Sequence, residues 1–199
     1  YKDGLSASFA VLNNTKRGIV LDLKKPEAVE IFKELAAVSD VLVENYRPGV
    51  MKNLGIDYET LKAVNPRLVM CSISGYGQYG PLSDLPSYDS VIQAMCGLMS
   101  TTGWPDGPPT RAGTLMVDIT TAYCAAMAVC AALFARERTG EGEFLDVAMY
   151  DVGITMLEAK FVDYTVSGNI ARRTGNRFPF VTPFDAFATK DGYVMLICI

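Results

Sequence analysis

Histidine is absent from all 199 residues. That removes Ser-His and Cys-His nucleophilic catalysis, histidine general bases and the usual zinc-hydrolase motifs from this chain. Carboxylates, tyrosines and lysines must carry any chemistry. Cysteine is scarce, and its five residues, Cys71, Cys96, Cys124, Cys130 and Cys198, are scattered among apolar neighbours. They read as reduced, buried thiols of a cytoplasmic protein, with neither a disulfide framework nor a metal site. Excess positive charge is also missing. A net charge of -4 argues against nucleic-acid binding and against general attraction to anionic membranes. Residues 119–135 are uncharged but Ala-rich, and at the short end of the ~17 to 25 residues that span a bilayer. A buried core helix is expected there.

Half of the residues are hydrophobic and a fifth are charged, the composition of one globular domain, or of one and the start of another. Tyr1-Lys-Asp-Gly4 opens without Met or an apolar leader, and a strand pattern runs into the last residue, Ile199. The sequence therefore reads as part of a longer protein.

Arg17-Gly-Ile-Val-Leu-Asp-Leu-Lys24 has the pattern of a short strand, and Pro26 suits the first turn of a helix carrying Val29, Phe32, Leu35 and Ala36 on one face. Residues 40–44 form the next strand. Two short helices follow Pro48-Gly49, the second opened by Asp57, before a strand over residues 68–73. Residues 88–100, about 118–138 and about 150–166 are expected as helices, with a strand over 144–149 between the last two. Strands alternating with helices predict an α/β fold, a parallel sheet covered on both faces. Residues 172–183 read as a linker, and Phe184 onward, with its Lys190-Asp-Gly192 turn, opens a second domain of β character.

Three features carry candidate chemistry. Residues 75–86, rich in Gly, Pro, Ser and Tyr, form a loop after a strand, the edge of an open α/β sheet where ligands bind. Glu44-Asn-Tyr-Arg-Pro-Gly49 places an amide, an aromatic ring and a guanidinium beyond another strand, suited to an adenine ring and a phosphate. Asp118, between Val117 and Ile119, stands at the entrance to the apolar helix, where free N–H groups and the positive dipole end would favour its ionised form. Asp is equally a preferred helix cap, a role that needs no catalysis. An ionised carboxylate can also attack a carbonyl.

In order, Asn14-Thr-Lys-Arg-Gly-Ile-Val-Leu-Asp-Leu-Lys24, Leu42-Val-Glu-Asn-Tyr-Arg-Pro-Gly-Val50, Asn65-Pro-Arg-Leu-Val69, Ser74-Gly-Tyr-Gly-Gln-Tyr-Gly-Pro81, Tyr88-Asp89, Arg138-Thr-Gly-Glu-Gly142 and Thr189-Lys-Asp-Gly-Tyr193 resemble the family III CoA-transferases, with α-methylacyl-CoA racemase as a cousin. The resemblance implies a Rossmann-like large domain over residues 1–170, lacking its first strand-helix unit. A linker over 171–183 and the start of a smaller α+β domain over 184–199 would follow. It places the nucleophile on Asp118. CoA contacts fall on Leu21, Asp22, Leu23 and Lys24, on Asn45, Tyr46 and Arg47, and on Ser87, Tyr88 and Asp89. A further basic contact of some members falls on Asn53, with Lys52 beside it. The implied reaction moves CoA between an acyl-CoA and a small carboxylic acid through aspartyl anhydride and aspartyl-CoA thioester intermediates. CoA and acyl-CoA would be substrates, with no permanently bound cofactor, in an interlaced homodimer. The racemase branch has a histidine at the Tyr88 position, paired with the aspartate. A phenol, with a reference pKa near ~10, is a poor proton acceptor at neutral pH. Transferase therefore outranks racemase, and a truncated non-catalytic CoA-binding paralogue is the third reading.

Overall fold

The computed structural model describes Gly4 and residues 6–199, so Tyr1, Lys2 and Asp3 of the opening tetrapeptide lie outside the described residues. After a short helix α1 (Ala7–Leu12), the chain alternates helices and strands: α2 (Pro26–Ala37), β1 (Val41–Glu44), α3 (Val50–Asn53), α4 (Tyr58–Val64) and β2 (Val69–Ser74). The boundaries have local causes. Pro26 begins α2 where no N–H is required, and the Asp57 carboxylate accepts the Thr60 N–H at 3.0 Å to start α4. Next come α5 (Asp89–Met95), α6 (Leu98–Thr101), α7 (Met116–Thr139), β3 (Phe144–Ala148), α8 (Met149–Thr155) and α9 (Ala159–Ser167). A hairpin of β4 (Phe184–Ala188) and β5 (Tyr193–Ile197) follows.

β1, β2 and β3 form a parallel sheet in that order, with Glu44, Ser72 and Asp146 in one row across it. In the central strand Val69, Met70 and Cys71 are all buried although their side chains alternate between faces, as expected when both faces are covered. One core gathers Ala36, Met51, Ile56, Leu61, Leu68 and Met70. A second joins Ile92, Cys96 and Val117 beneath Tyr76, Met149 and Tyr150. Fully burying a side chain such as Leu61 or Ile92 contributes about 1.5–3 kcal/mol. At Gly142 a Cβ would overlap the Leu68 carbonyl, so only glycine lets the turn before β3 close against β2.

The sequence reading needs correction at several points. Residues 17–24 do not form a strand: no neighbour among the described residues ladders with them, and Val20 is fully exposed. A strand pattern without a partner leaves its backbone groups to water. The helix expected over residues 88–100 is two, broken at Gly97 (φ 97°), and the helix after β3 breaks at Glu158 (φ 52°). Only Cys71 and Cys96 are buried thiols, while Cys130 and Cys198 are exposed.

The largest correction concerns α7, which is buried along one face only. Val117, Thr121, Ala125, Ala132 and Arg136 point inward, whereas Tyr123, Met127 and Phe134 are exposed. Small inward residues let the helix lie close on β2 and β3. Its far end is clamped by Arg136, whose guanidinium donates to the Arg67 carbonyl at 3.0 Å and pairs with Asp40 at 2.8 Å. By length and composition α7 could cross a membrane, but its inner face is committed to the sheet.

Candidate active site

Strand ends position the first wall of the site. The buried Glu44 carboxylate accepts the Tyr46 N–H at 2.7 Å, turning the chain so that Asn45, Tyr46 and Arg47 leave the sheet at its carboxyl edge. Arg47 is exposed and makes no salt bridge among the described residues, leaving its fork of donors available. Beyond β2, Ser74 Oγ accepts the Gly77 N–H at 3.0 Å, and Asp146 Oδ2, from the neighbouring strand, accepts the Gln78 N–H at 2.9 Å. The glycine-rich loop is thus fixed to the sheet at its base.

The second wall is the entry to α5. A Cβ on Gly75 would overlap Ser87 Oγ, so glycine permits Ser87 and Tyr88 to settle directly over the end of β2. Tyr88 is the extended residue before the helix and leaves most of its ring exposed. The third wall is the first turn of α7, with Asp118 and Thr121. Together the walls enclose a cleft of about 530 Å³ at the carboxyl edge of the sheet, floored by Ile73, Ser74 and Met149. Open α/β sheets bind ligands at this edge.

The cap of α7 is not Asp118. The helix starts at Met116, which puts Asp118 third, and Asp89 caps it from another helix. Asp89 Oδ2 accepts the N–H groups of Val117 at 2.8 Å and Asp118 at 3.1 Å, while its Oδ1 accepts from Gln93 Nε2. Gln93 Oε1 in turn accepts the Ala112 N–H at 2.8 Å. Asp89 is 3% exposed, so a charged group lies buried with its acceptors used by the protein. This network holds Asp118 at the cleft wall, its carboxyl free for a ligand.

The cap arrangement also reverses the expected electrostatics. Much of Asp118 is exposed, yet neighbouring protein removes part of the water around its carboxyl. That burial, and secondly the Asp89 charge, push its pKa above the ordinary carboxylate value. The N–H groups that would have held it ionised are given to Asp89. Asp118 is consequently a less stabilised carboxylate than a helix cap would be.

The structure brings Asn45, Tyr46, Arg47, Ser87, Tyr88, Asp89 and Asp118 to one cleft. It does not bring Leu21, Asp22, Leu23 and Lys24 there: they form the turn before α2, with the Leu23 side chain packed at the first core and Asp22 Oδ1 accepting the Lys24 N–H at 3.2 Å. Among the described residues, no group of three or more Cys, Asp or Glu is gathered as metal ligands. Sequence reasoning missed Thr121, which lines the cleft one helical turn beyond Asp118; the three-residue spacing was the available signal.

The sequence pattern of CoA-transferase family III matches residues 1–199. The chain is 43% identical over 199 residues to the acetyl-CoA:oxalate CoA-transferase of Acetobacter aceti, covering 100% of this chain and 51% of that one. It is 40% identical over 195 residues to the succinate–glutarate CoA-transferase of Agrobacterium fabrum, covering 98% and 49% respectively. The crystal structure of a CaiB/BaiF family protein from Brucella suis superposes with a TM-score of 0.86 at 38% identity, over 92% of this chain and 48% of that one. The chain spans about half the length of the curated relatives it matches. A carboxylate at the carboxyl edge of a parallel sheet, a pattern matched from end to end and a shared fold agree: the chain belongs to CoA-transferase family III.

Proposed function

We propose that this chain supplies the CoA-binding cleft and nucleophile of an enzyme that moves CoA between an acyl-CoA donor and a carboxylate acceptor. The observation that carries the reading is Asp118, projecting into a cleft whose other walls offer Tyr46, Arg47 and Ser87. The relatives act on acetyl-CoA with oxalate and on succinate with glutarate, which frames the substrate class as short carboxylic acids.

The steps conserve the thioester. An Asp118 oxygen attacks the acyl-CoA carbonyl, the C–S bond breaks, and CoA leaves as the thiolate to give a mixed anhydride. The thiolate attacks the aspartyl carbonyl, expelling the donor carboxylate and leaving an aspartyl-CoA thioester. An acceptor carboxylate displaces the thiolate from it, and thiolate attack on the new acyl group frees Asp118. No net proton, metal or redox equivalent is needed, so CoA enters only as substrate. Arg47 would hold a phosphate and Tyr46 the adenine face, with Asn45, Ser87, Tyr88 and Asp89 bounding the thioester arm. The turn of Leu21, Asp22, Leu23 and Lys24, outside the cleft, would meet the nucleotide end. An interlaced homodimer in the cytoplasm fits the family and the free thiols.

The test is hydroxylamine trapping with the full-length protein and acetyl-, oxalyl-, succinyl- and glutaryl-CoA. Peptide mass spectrometry should find a hydroxamate at Asp118. Transfer without any Asp118 adduct would sink the covalent reading.

A further inference from the structure

Two adjacent threonines on α7 differ in a telling way. Thr120 satisfies its hydroxyl locally, donating to the Met116 carbonyl at 2.8 Å. Thr121 does not. The residue is 2% exposed, its Oγ1 has no hydrogen-bond partner among the described residues, and it lines the cleft beside Asp118. A buried hydroxyl without a partner is costly, so a position that carries one calls for a partner that the resting cleft does not supply.

Geometry narrows the choice. Residues three apart on a helix have Cβ atoms about 5–6 Å apart, and Cα–Cβ bonds tilt toward the helix N-terminus, so the Thr121 side chain leans toward the turn that carries Asp118. Both sit on one rigid helix, so the hydroxyl keeps register with the Asp118 carboxyl whatever substrate is bound. The helix start cannot do the same work, because the Val117 and Asp118 N–H groups are held by Asp89.

We propose that the Thr121 hydroxyl is a catalytic hydrogen-bond donor to the carbonyl oxygen of acylated Asp118. The inference rests on the reading of Asp118 as nucleophile. In the anhydride, the aspartyl carbon carries one carbonyl oxygen. Thiolate attack on that carbon moves the C=O electron pair onto this oxygen, and collapse expels the donor carboxylate with the C–O bond pair. Thr121 donates to the oxygen while it is negative and keeps its own proton throughout. Preorganised donors aimed at developing charge commonly change such steps by 10²–10³-fold.

The experiment compares Thr121→Val, Thr121→Ser and Thr121→Ala in the full-length protein, using the four acyl-CoA probes and rapid-quench hydroxylamine trapping at Asp118. Val should lower kcat and the trapping rate by about 100-fold with little change in KM. Ser should stay within about 3-fold of wild type, because it keeps the hydroxyl. The Val melting temperature should equal or exceed that of wild type, because an unpaired buried hydroxyl is removed, which a merely structural Thr would not combine with lost turnover. If Val fails to fold, the Ser-to-Ala ratio carries the test, with about 30-fold or more expected in favour of Ser. Wild-type rates in Val, or Ser and Ala equally slow, overturn the Thr121 assignment alone. No Asp118 adduct in wild type with any probe overturns the nucleophile reading beneath it.

Discussion

Replacing Asp89 by Asn tests the cap in trans most sharply, because the change is isosteric and every polar atom around it is accounted for. Asp89 Oδ2 accepts two backbone N–H groups of α7, and Oδ1 accepts from Gln93. An Asn oxygen kept on the helix end turns its NH2 against the Gln93 NH2. Flipping Gln93 to cure that clash turns its NH2 against the Ala112 N–H, which its oxygen now accepts. One donor faces another in either arrangement. Two charge-assisted bonds become neutral, at about 1 kcal/mol each, and the opposed donors lose a hydrogen bond at about 1–3 kcal/mol. The expected loss is about 3–5 kcal/mol, large beside the total stability of an ordinary domain. Urea unfolding of the full-length protein measures it, and amide exchange in the peptide covering residues 113–122 localises it, with protection falling at Val117 and Asp118. The variant should also move the acid limb of kcat/KM to lower pH, since the Asp89 charge is one of the two causes raising the Asp118 pKa. A loss under about 0.5 kcal/mol with unchanged exchange would refute the argument.

Four further outcomes follow from the same site. Asp118→Asn should abolish transfer, because an amide forms no anhydride, and deamidation-controlled turnover above a few per cent would contradict the assignment. Since the folded pKa of Asp118 is raised, the stability it contributes is full below the unfolded value near ~3.9 and is lost as pH rises through the folded value. The Asn variant should therefore match or exceed wild type at neutral pH, by less than about 1 kcal/mol at so exposed a group, and the difference should vanish on acidification, as thermal melts across pH will show. Arg47→Ala should weaken CoA more than phosphate-free pantetheine analogues in titration calorimetry, and equal losses would place the guanidinium away from a phosphate. Deuterium should not wash into the α-carbon of 2-methylacyl-CoA, and Tyr88→His alone should not install exchange, because small misplacements cost proton transfer dearly; wild-type exchange at the rate of thioester transfer would favour an isomerase.

Much of this architecture was legible because it is written locally. Pro26, Asp57 and the apolar runs of β1, β2 and β3 announce themselves within a few residues, and the loop after β2 announces the carboxyl edge of the sheet, where the cleft lies. What escaped depends on neighbours far along the chain. Residues 17–24 have a strand's pattern but, among the described residues, no strand beside them. α7 is apolar on both faces, so its periodicity could not show which side packs on the sheet. The partner of its first N–H groups is a carboxylate 28 residues earlier, which no cap rule read from adjacent residues can find. The same blindness hid Thr121, since an unpaired hydroxyl is recognisable only when the whole neighbourhood is known.

The order of the sheet also sets a timetable for biosynthesis. β2 meets β3 only after the chain has passed through both helical walls of the cleft, and the Arg136 clamp at that junction closes a span of 69 residues. Loop closure grows so slowly with length, about 0.6 kcal/mol per doubling, that equilibrium stability scarcely registers this detour. Folding rate does, because distant pairings must wait for the intervening chain. On a ribosome adding about 5–20 residues per second, the inner edge of β2 stays unpaired for several seconds after its own synthesis. Meanwhile that apolar, ladder-ready edge is open to pairing with another nascent chain. Slowing translation between Ser74 and Phe144 should lower the soluble yield, while the finished protein's melting temperature stays unchanged.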